Sequence, residues 1–170
     1  FRQAFSETPG LHFAWTEGCE ALLPEDYADL PALVEGGERS CWSGEKREEE
    51  WNRAMALSEE ADVAVLALGE DPVQGGEGGS RTKLTIPGDQ MKLLREVKKR
   101  VSKVIVVLFA GRPLVLDEVK ELADAILLVW YPGTEGGTAI RDMLFGRYEP
   151  QGRLSMSLPR SVGQLPLYYN

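Results

Sequence analysis

Residues 104–109 read VIVVLF and run directly into a turn that contains Gly111. An apolar run of this length, rich in β-branched residues, predicts a strand that is buried on both faces, as in a parallel sheet. Two other runs have the same character, DVAVLAL at 62–68 and AILLVW at 125–130, and each also ends at a glycine-containing turn. The sequence therefore predicts three buried parallel strands.

The segments around these strands have helical periodicity. Apolar residues recur at helical spacing in Glu48 to Ala61, Pro87 to Val101, Pro113 to Ala123 and Glu135 to Phe145. Strands that alternate with helices form right-handed crossovers, so we predict an α/β protein with a mostly parallel, doubly wound sheet. Ligands of such sheets bind outside the carboxyl ends of the strands, which directs attention to the loops that follow each strand.

The two ends of the chain depart from this pattern. Leu11 to Thr16 is predicted to be an extra strand, and residues 18–45, rich in Pro, Gly and acidic side chains, a long excursion. The tail 154–170 contains two prolines and is predicted to be extended. We expect residues 1–170 to form a single α/β domain.

Composition excludes several classes of function. The net charge of −8 disfavours nucleic acid and anionic membrane as partners, because both attract basic surfaces. No apolar run approaches the length of a membrane span, and the polar start does not resemble a signal peptide. The sequence does not decide the cellular location. Cys19 and Cys41 lack metal-ligand spacing and are expected to be free thiols, with a disulfide between them as the alternative. The single histidine, His12, excludes a multi-histidine metal site.

The loop after the first strand, GEDPVQGGEGGSRTKLTIPG at 69–88, contains the most distinctive chemistry. Its glycines suggest phosphate binding, but the spacing is not that of a P-loop and its carboxylates would repel a phosphate. Glu77 has two glycines on each side, which would let its carboxyl group enter a cleft as the proton donor of a glycosidase. Taken alone, the residues favour the alternative that Glu77 is a solvated loop glutamate.

Four segments together resemble the C-terminal domain of family 3 glycoside hydrolases. They are LGE…GEGGSRTKLTIPGDQ at 68–90, VVLFAGRPLVL at 106–116, WYPGTEGGTAIRDMLFG at 130–146 and PQGRLSMSLPRSVGQLPLYYN at 150–170. The resemblance covers 60–170 strongly and 11–59 loosely. It implies a three-layer α/β/α sandwich, with 154–170 as an exit segment.

The resemblance also implies a split active site. In the β-glucosidase branch an N-terminal barrel, absent here, supplies an aspartate nucleophile, and this domain supplies a glutamate acid/base at the position of Glu77. The implied reaction is a retaining hydrolysis of terminal β-linked glucosides or oligosaccharides, with no metal and no organic cofactor. The chain is then expected to be a fragment of a longer enzyme and inactive alone. Glucose is the commonest sugar of the family, with xylose open.

Three further residues are candidates for the site. Arg81 is expected either to hold a sugar hydroxyl or to brace the loop through an ion pair with Glu70 or Asp71. Glu70, at the end of its strand, is expected to hydrogen-bond the loop or the domain interface rather than transfer a proton. Trp15 is placed near the mouth of the cleft.

Other interpretations remain open at this point. One is a non-catalytic carbohydrate-binding or scaffolding domain, and another is a flavodoxin-like or nucleotide-binding module. The opening strand of the family, an apolar run that ends in Gly-Pro, has no counterpart before Leu11. An exposed sheet edge would follow, and through it the isolated chain is expected to self-associate.

Overall fold

A computed structural model describes residues 2–23, 42–75 and 79–168. Its centre is a sheet of parallel strands β1 (Val63–Gly69), β2 (Lys103–Phe109) and β3 (Ala125–Leu128), in the order β1-β2-β3. Val63 pairs with Lys103, and Ile105 pairs with Ala125. The predicted open, parallel α/β sheet is confirmed.

Six helices accompany the sheet in the described part of the chain. They are α1 (Arg2–Ser6), α2 (Gly44–Glu60), α3 (Pro72–Gly75), α4 (Gln90–Lys98), α5 (Asp117–Leu122) and α6 (Gly136–Leu144), and a 3₁₀ turn, Val162–Gln164, lies in the C-terminal tail. None of these described helices has the length and apolar character needed to cross a membrane.

The core is built around β2. Its neighbouring residues Val106 and Val107 point to opposite faces, and both are fully buried. The face that carries Val106 packs with Leu94 of α4 and Val119 of α5 in one apolar cluster. Burial on both faces is the reason that the sequence of this strand is apolar without interruption.

Two helices begin later than the periodicity predicts. Residues before α5 are extended, because the Val115 N–H donates to the Leu84 carbonyl at 2.7 Å while Leu114 and Leu116 are buried on either side of it. In front of α4, Gly88 has the left-handed φ of +63°, so the helix begins after Pro87 rather than at it.

Other boundaries differ for local reasons. Helix α2 begins earlier than predicted, because the Ser43 hydroxyl accepts a hydrogen bond from the Lys46 N–H at 3.2 Å. Strand β3 is shorter than predicted, because Trp130 has a φ of +53° that extended backbone does not allow.

The strand predicted at Leu11 to Thr16 is wrong. This segment has no strand pairing. Phe13 instead packs against Phe5 of α1, and the Thr16 hydroxyl donates to the Glu50 carboxylate of α2 at 2.5 Å. Much of the excursion predicted at 18–45, including Cys41, lies outside the described residues.

Candidate active site

The carboxyl ends of β1 and β2 meet at one edge of the sheet, and the residues that follow them lie close together. Glu70 follows β1 directly, and its N–H donates to the Phe109 carbonyl at the end of β2, at 2.8 Å. Gly111 and Arg112 follow β2. Parallel pairing of the two strands therefore brings an acidic and a basic residue to one place.

The Glu70 carboxylate is the centre of this cluster. Its side chain is completely shielded from solvent, and one oxygen, Oε1, lies 2.7 Å from Arg81 Nη1 and 3.1 Å from Arg112 Nε. The other oxygen accepts a hydrogen bond from the Gly111 N–H at 3.2 Å. A buried charge requires partners of this kind, since desolvation alone would strongly disfavour it.

Arg112 reaches beyond Glu70 to the glycine-rich loop. Its Nη2 atom donates to the carbonyl of Gln74 and, at 2.7 Å, to the carbonyl of Gly79. Arg81 makes a second link, from Nη2 to the Thr85 carbonyl at 3.0 Å. The two guanidinium groups thus connect a buried carboxylate to the backbone of the loop.

Tyr131, which follows β3, packs against the other side of the loop. A Cβ atom on Gly75 would lie 2.6 Å from the Tyr131 hydroxyl, so a larger residue there would require the Tyr131 ring to move. The hydroxyl donates to the Asp71 carbonyl at 3.3 Å, and burial, with a smaller effect of the Glu70 charge, raises the pKa of Tyr131. An open cleft of about 460 Å³ borders the ring, lined by Pro72, Gly75, Phe109, Tyr131 and Pro132.

Gln90, the first residue of α4, closes the edge of the sheet at the end of β1. Its Oε1 accepts from the Gly69 N–H at 2.7 Å, and its Nε2 donates to the Gly69 carbonyl at 2.8 Å. The side-chain amide therefore satisfies both backbone groups of Gly69, as a neighbouring strand would.

Comparison with known proteins identifies the domain. Residues 3–170 match the family described as the glycosyl hydrolase family 3 C-terminal domain. The chain belongs to glycoside hydrolase family 3. This family 3 domain is 46% identical over 119 residues to a periplasmic beta-glucosidase of Salmonella typhimurium, a match that covers 70% of the chain and 16% of that protein. It is 40% identical over 116 residues to a beta-xylosidase of Formosa agariphila, with 68% and 16% covered.

Solved structures of relatives contain the same domain. A beta-glucosidase from Listeria innocua in complex with gluconolactone matches with a TM-score of 0.68 and 41% identity, over 79% of this chain and 18% of that one. The beta-glucosidase of Kluyveromyces marxianus in complex with glucose matches with a TM-score of 0.66 and 33% identity, over 71% and 14%. The family 3 domain thus spans less than a fifth of the length of these relatives.

The structure brings together only two of the four site residues that the sequence predicts for this family 3 domain. Glu70 and Arg81 form the ion pair described above. Trp15 lies elsewhere, against α1 and α2, with the Arg2 guanidinium 3.7 Å and that of Arg53 5.8 Å from its ring centroid. Glu77 lies outside the described residues, between the described residues Gly75 and Gly79.

Three residues at this edge were not singled out from the sequence for the site. Arg112 follows β2 in a Gly-Arg-Pro turn, so its position after a strand was the signal that could have pointed to it. Tyr131 follows β3 and carried the same signal. Gln90 did not, because its role depends on a tertiary contact with Gly69.

Thiol and metal chemistry have little support among the described residues. The Cys19 thiol is free, and burial, aided by the negative charges of Asp89 and Glu20, raises its pKa to about 12. It is therefore protonated near neutral pH and is a poor nucleophile. The described residues contain no cluster of three or more His, Cys, Asp or Glu side chains that could hold a metal ion.

Proposed function

We propose that this chain is one domain of a longer retaining β-glycosidase of the β-glucosidase type, and that its Glu77 is the general acid/base. The observation that carries the proposal is the match to family 3 over residues 3–170, with relatives named as beta-glucosidases and beta-xylosidases. The substrate is a terminal β-linked glucoside or oligosaccharide, and the nucleophile belongs to a separate barrel domain of the same enzyme.

The reaction proceeds in two displacements. A carboxylate of the barrel attacks the anomeric carbon while Glu77 gives its proton to the glycosidic oxygen, so that the alcohol leaves and a glycosyl-enzyme forms. In the second step the Glu77 carboxylate takes a proton from water, which attacks the anomeric carbon and releases the sugar. Neither step requires a metal or an organic cofactor.

The geometry of the described residues supports this assignment of roles. Glu70 is fully buried and held by Arg81 and Arg112, so it is suited to bracing rather than to proton transfer with a substrate. Gly75, the last residue of α3, and Gly79 lie next to the carboxyl edge of the sheet, where parallel sheets bind ligands, and Glu77 lies between them in the sequence. Tyr131 and the cleft beside it lie at the same edge.

The test is the activity of the longer enzyme with Glu77→Ala. Loss of the acid should lower kcat/KM by about 10²- to 10⁴-fold on alkyl or phenyl β-glucosides, whose leaving groups need a proton, and far less on a dinitrophenyl glucoside. On the dinitrophenyl glucoside kcat should still fall, because hydrolysis of the glycosyl-enzyme lacks its base. Added azide, which attacks the glycosyl-enzyme without base assistance, should restore turnover of the dinitrophenyl substrate. Steady-state kinetics on both substrates measure each effect.

Glu149→Ala is the matched control, because Glu149 is an exposed glutamate outside the helices and strands. Glu149→Ala should leave the kinetic constants for both substrates unchanged. The 170-residue chain alone should turn over neither substrate. Wild-type kinetics of Glu77→Ala would refute the acid/base role and leave the non-catalytic carbohydrate-binding or scaffolding alternative.

We also propose that the isolated chain self-associates through β1. In the described part of the chain β1 pairs only with β2, and Val63 is 49% exposed. An apolar edge strand of this kind invites pairing with a second copy, and a lysine opposes it. Light scattering should show a mass that rises with concentration and that Val63→Lys lowers, whereas Val162→Lys, at an exposed site in the tail, should not lower it. A monomeric mass at every concentration would contradict the proposal.

A further inference from the structure

We propose that the cleft beside Tyr131 binds the aglycone of the substrate and favours glycosides whose aglycone is an alkyl or aryl group. This proposal rests on the glycosidase function inferred above. The aglycone is the part of a glycoside that leaves with the glycosidic oxygen when the bond to the sugar breaks. All the residues assigned to the cleft belong to the described part of the chain.

The cleft lies at the carboxyl ends of all three described strands. Pro72 comes three residues after β1, Phe109 is the last residue of β2, and Tyr131 comes three residues after β3. Ligands of open parallel sheets bind beyond these ends of the strands. The volume of about 460 Å³ is also within the range of small-molecule sites, about 300–1,000 Å³. Position and size therefore both suit a ligand-binding site.

The Tyr131 ring forms one wall of the cleft and is held in place by its neighbours. Its hydroxyl donates to the Asp71 carbonyl at 3.3 Å. Cβ atoms built on Gly75 and Gly111 would each lie 2.8 Å from the Cε2 atom of the ring, so these two glycines leave the room that the ring occupies. Tyr131 is nevertheless 40% exposed. The ring is therefore a preorganised surface on which an apolar group can stack without rearrangement.

The chemistry of the cleft favours an apolar group over a second sugar. Among the described residues that line it, none is charged, and Tyr131 alone has a polar side-chain group, which is bound to Asp71. A sugar would bring several hydroxyl groups, and each one that leaves water without gaining a hydrogen bond opposes binding. An alkyl or aryl aglycone brings none, and it is stabilised by burial against Pro72, Phe109 and Pro132.

The charged cluster at the same edge of the sheet does not change this balance. Glu70, Arg81 and Arg112 are not among the residues that line the cleft. The Glu70 carboxylate is fully shielded from solvent, and the two guanidinium groups bind it and the carbonyls of the loop. Their hydrogen bonds are therefore directed into the domain, and the cleft keeps its apolar character.

Burial in the cleft should make the rate depend on the length of an alkyl aglycone. A fully buried methylene group changes an equilibrium constant by about fourfold, and an open cleft that covers about half of the group should give about twofold. Leaving alcohols from butanol to octanol have nearly the same acidity, so the requirement for a proton is constant along the series. A change in kcat/KM along the series therefore reports contact with the aglycone.

The experiment measures kcat/KM of the longer enzyme on butyl, hexyl and octyl β-glucosides below their micellar concentrations. The wild-type value should rise about 15-fold from butyl to octyl, a difference of four methylene groups, and Tyr131→Ala should reduce this rise to less than about threefold. Tyr131→Phe keeps the ring and loses only the hydrogen bond to Asp71, so it should retain the rise. Tyr148→Ala, at an exposed tyrosine outside the helices and strands, is the matched control and should retain it too.

Pro72→Asp keeps the test decisive if Tyr131→Ala does not fold. Pro72 is exposed and is the first residue of α3, a position at which an aspartate is tolerated. Its carboxylate would oppose an alkyl chain in the cleft, so the rise from butyl to octyl should again fall below about threefold. A wild-type rate that does not depend on chain length would overturn the inference. So would variants that lose the same factor at every chain length.

Glu77→Ala, measured on the same series, separates this inference from the proposed function. It should lower kcat/KM by one common factor and leave the dependence on chain length unchanged, because the acid does not contact the aglycone chain. If Glu77→Ala has wild-type kinetics while Tyr131→Ala removes the dependence, only the acid/base role fails. If Glu77→Ala lowers every rate but the wild-type series is flat, only the aglycone site fails.

A β-linked glucose disaccharide tests whether the cleft holds a sugar instead. Tyr131→Ala should lower kcat/KM on the disaccharide by less than about threefold, because the second sugar gains little from an apolar wall. A loss on the disaccharide as large as the loss on octyl glucoside would show that a sugar occupies the cleft, and would overturn the inference.

Discussion

Gly69→Ala should prevent this chain from folding, or lower its free energy of unfolding by more than about 4 kcal/mol. Gly69 has a φ of +144°, and a Cβ atom built on it would lie 1.7 Å from the Phe109 carbonyl oxygen. That oxygen is part of the backbone of β2 and accepts the Glu70 N–H at 2.8 Å, so it cannot move without opening the junction of the strands. Urea denaturation followed by circular dichroism measures the loss.

Gly146→Ala is the control for this substitution. Gly146 has a φ of +70°, also in the left-handed region, but a Cβ atom there would meet nothing within 4 Å. Its cost should be the backbone strain alone, about 1–2 kcal/mol. If both variants lost the same stability, the close approach of Gly69 to Phe109 would not matter, and the expectation would be refuted.

Glu70→Gln should destabilise the chain by about 3 kcal/mol, with no change in shape or volume at the site. The carboxylate is fully shielded from solvent and lies against two guanidinium groups that are themselves mostly buried, with side-chain exposures of 11% for Arg81 and 22% for Arg112. A neutral amide leaves both positive charges without a counter-charge, and its NH₂ group adds a donor among donors. Urea denaturation at neutral pH measures the difference.

An exposed ion pair provides the comparison for Glu70→Gln. Glu118 accepts two hydrogen bonds from Arg95, at 2.5 and 2.8 Å, but both side chains are about half exposed. Glu118→Gln should therefore cost less than about 1 kcal/mol. Similar losses for the two variants would mean that the cluster around Glu70 is not a buried charge system, contrary to the structure.

The strands were predictable from the sequence because burial on both faces leaves a simple signal. Only apolar residues are tolerated in β2, so VIVVLF reads as a strand without any tertiary information. Helix boundaries were less predictable, since α5 begins late on account of a hydrogen bond between Val115 and Leu84, which are distant in sequence. The prediction of a strand at 11–16 was wrong for a similar reason, because Thr16 contacts Glu50 of α2, which is distant in sequence.

The candidate site was predictable only in part. The sequence suggests that Arg81 pairs with Glu70 or Asp71, and the structure contains the pair with Glu70. The contacts of Arg112 with the loop carbonyls have no counterpart in the sequence pattern, because a backbone acceptor leaves no trace in residue identity. The role of Glu77 stays a prediction, based on resemblance to the family.

The amide of Gln90 has a consequence for how this domain can vary. It ties the end of β1 to the start of α4, so residues 70–89 leave the scaffold and return to it at nearly the same point. Insertions into such a closed excursion need not shift the sheet or the helix, and doubling its length would cost only about 0.6 kcal/mol of closure entropy. The scaffold can thus stay constant while the excursion changes in length, as long as the ion pair of Glu70 and Arg81 within it is kept.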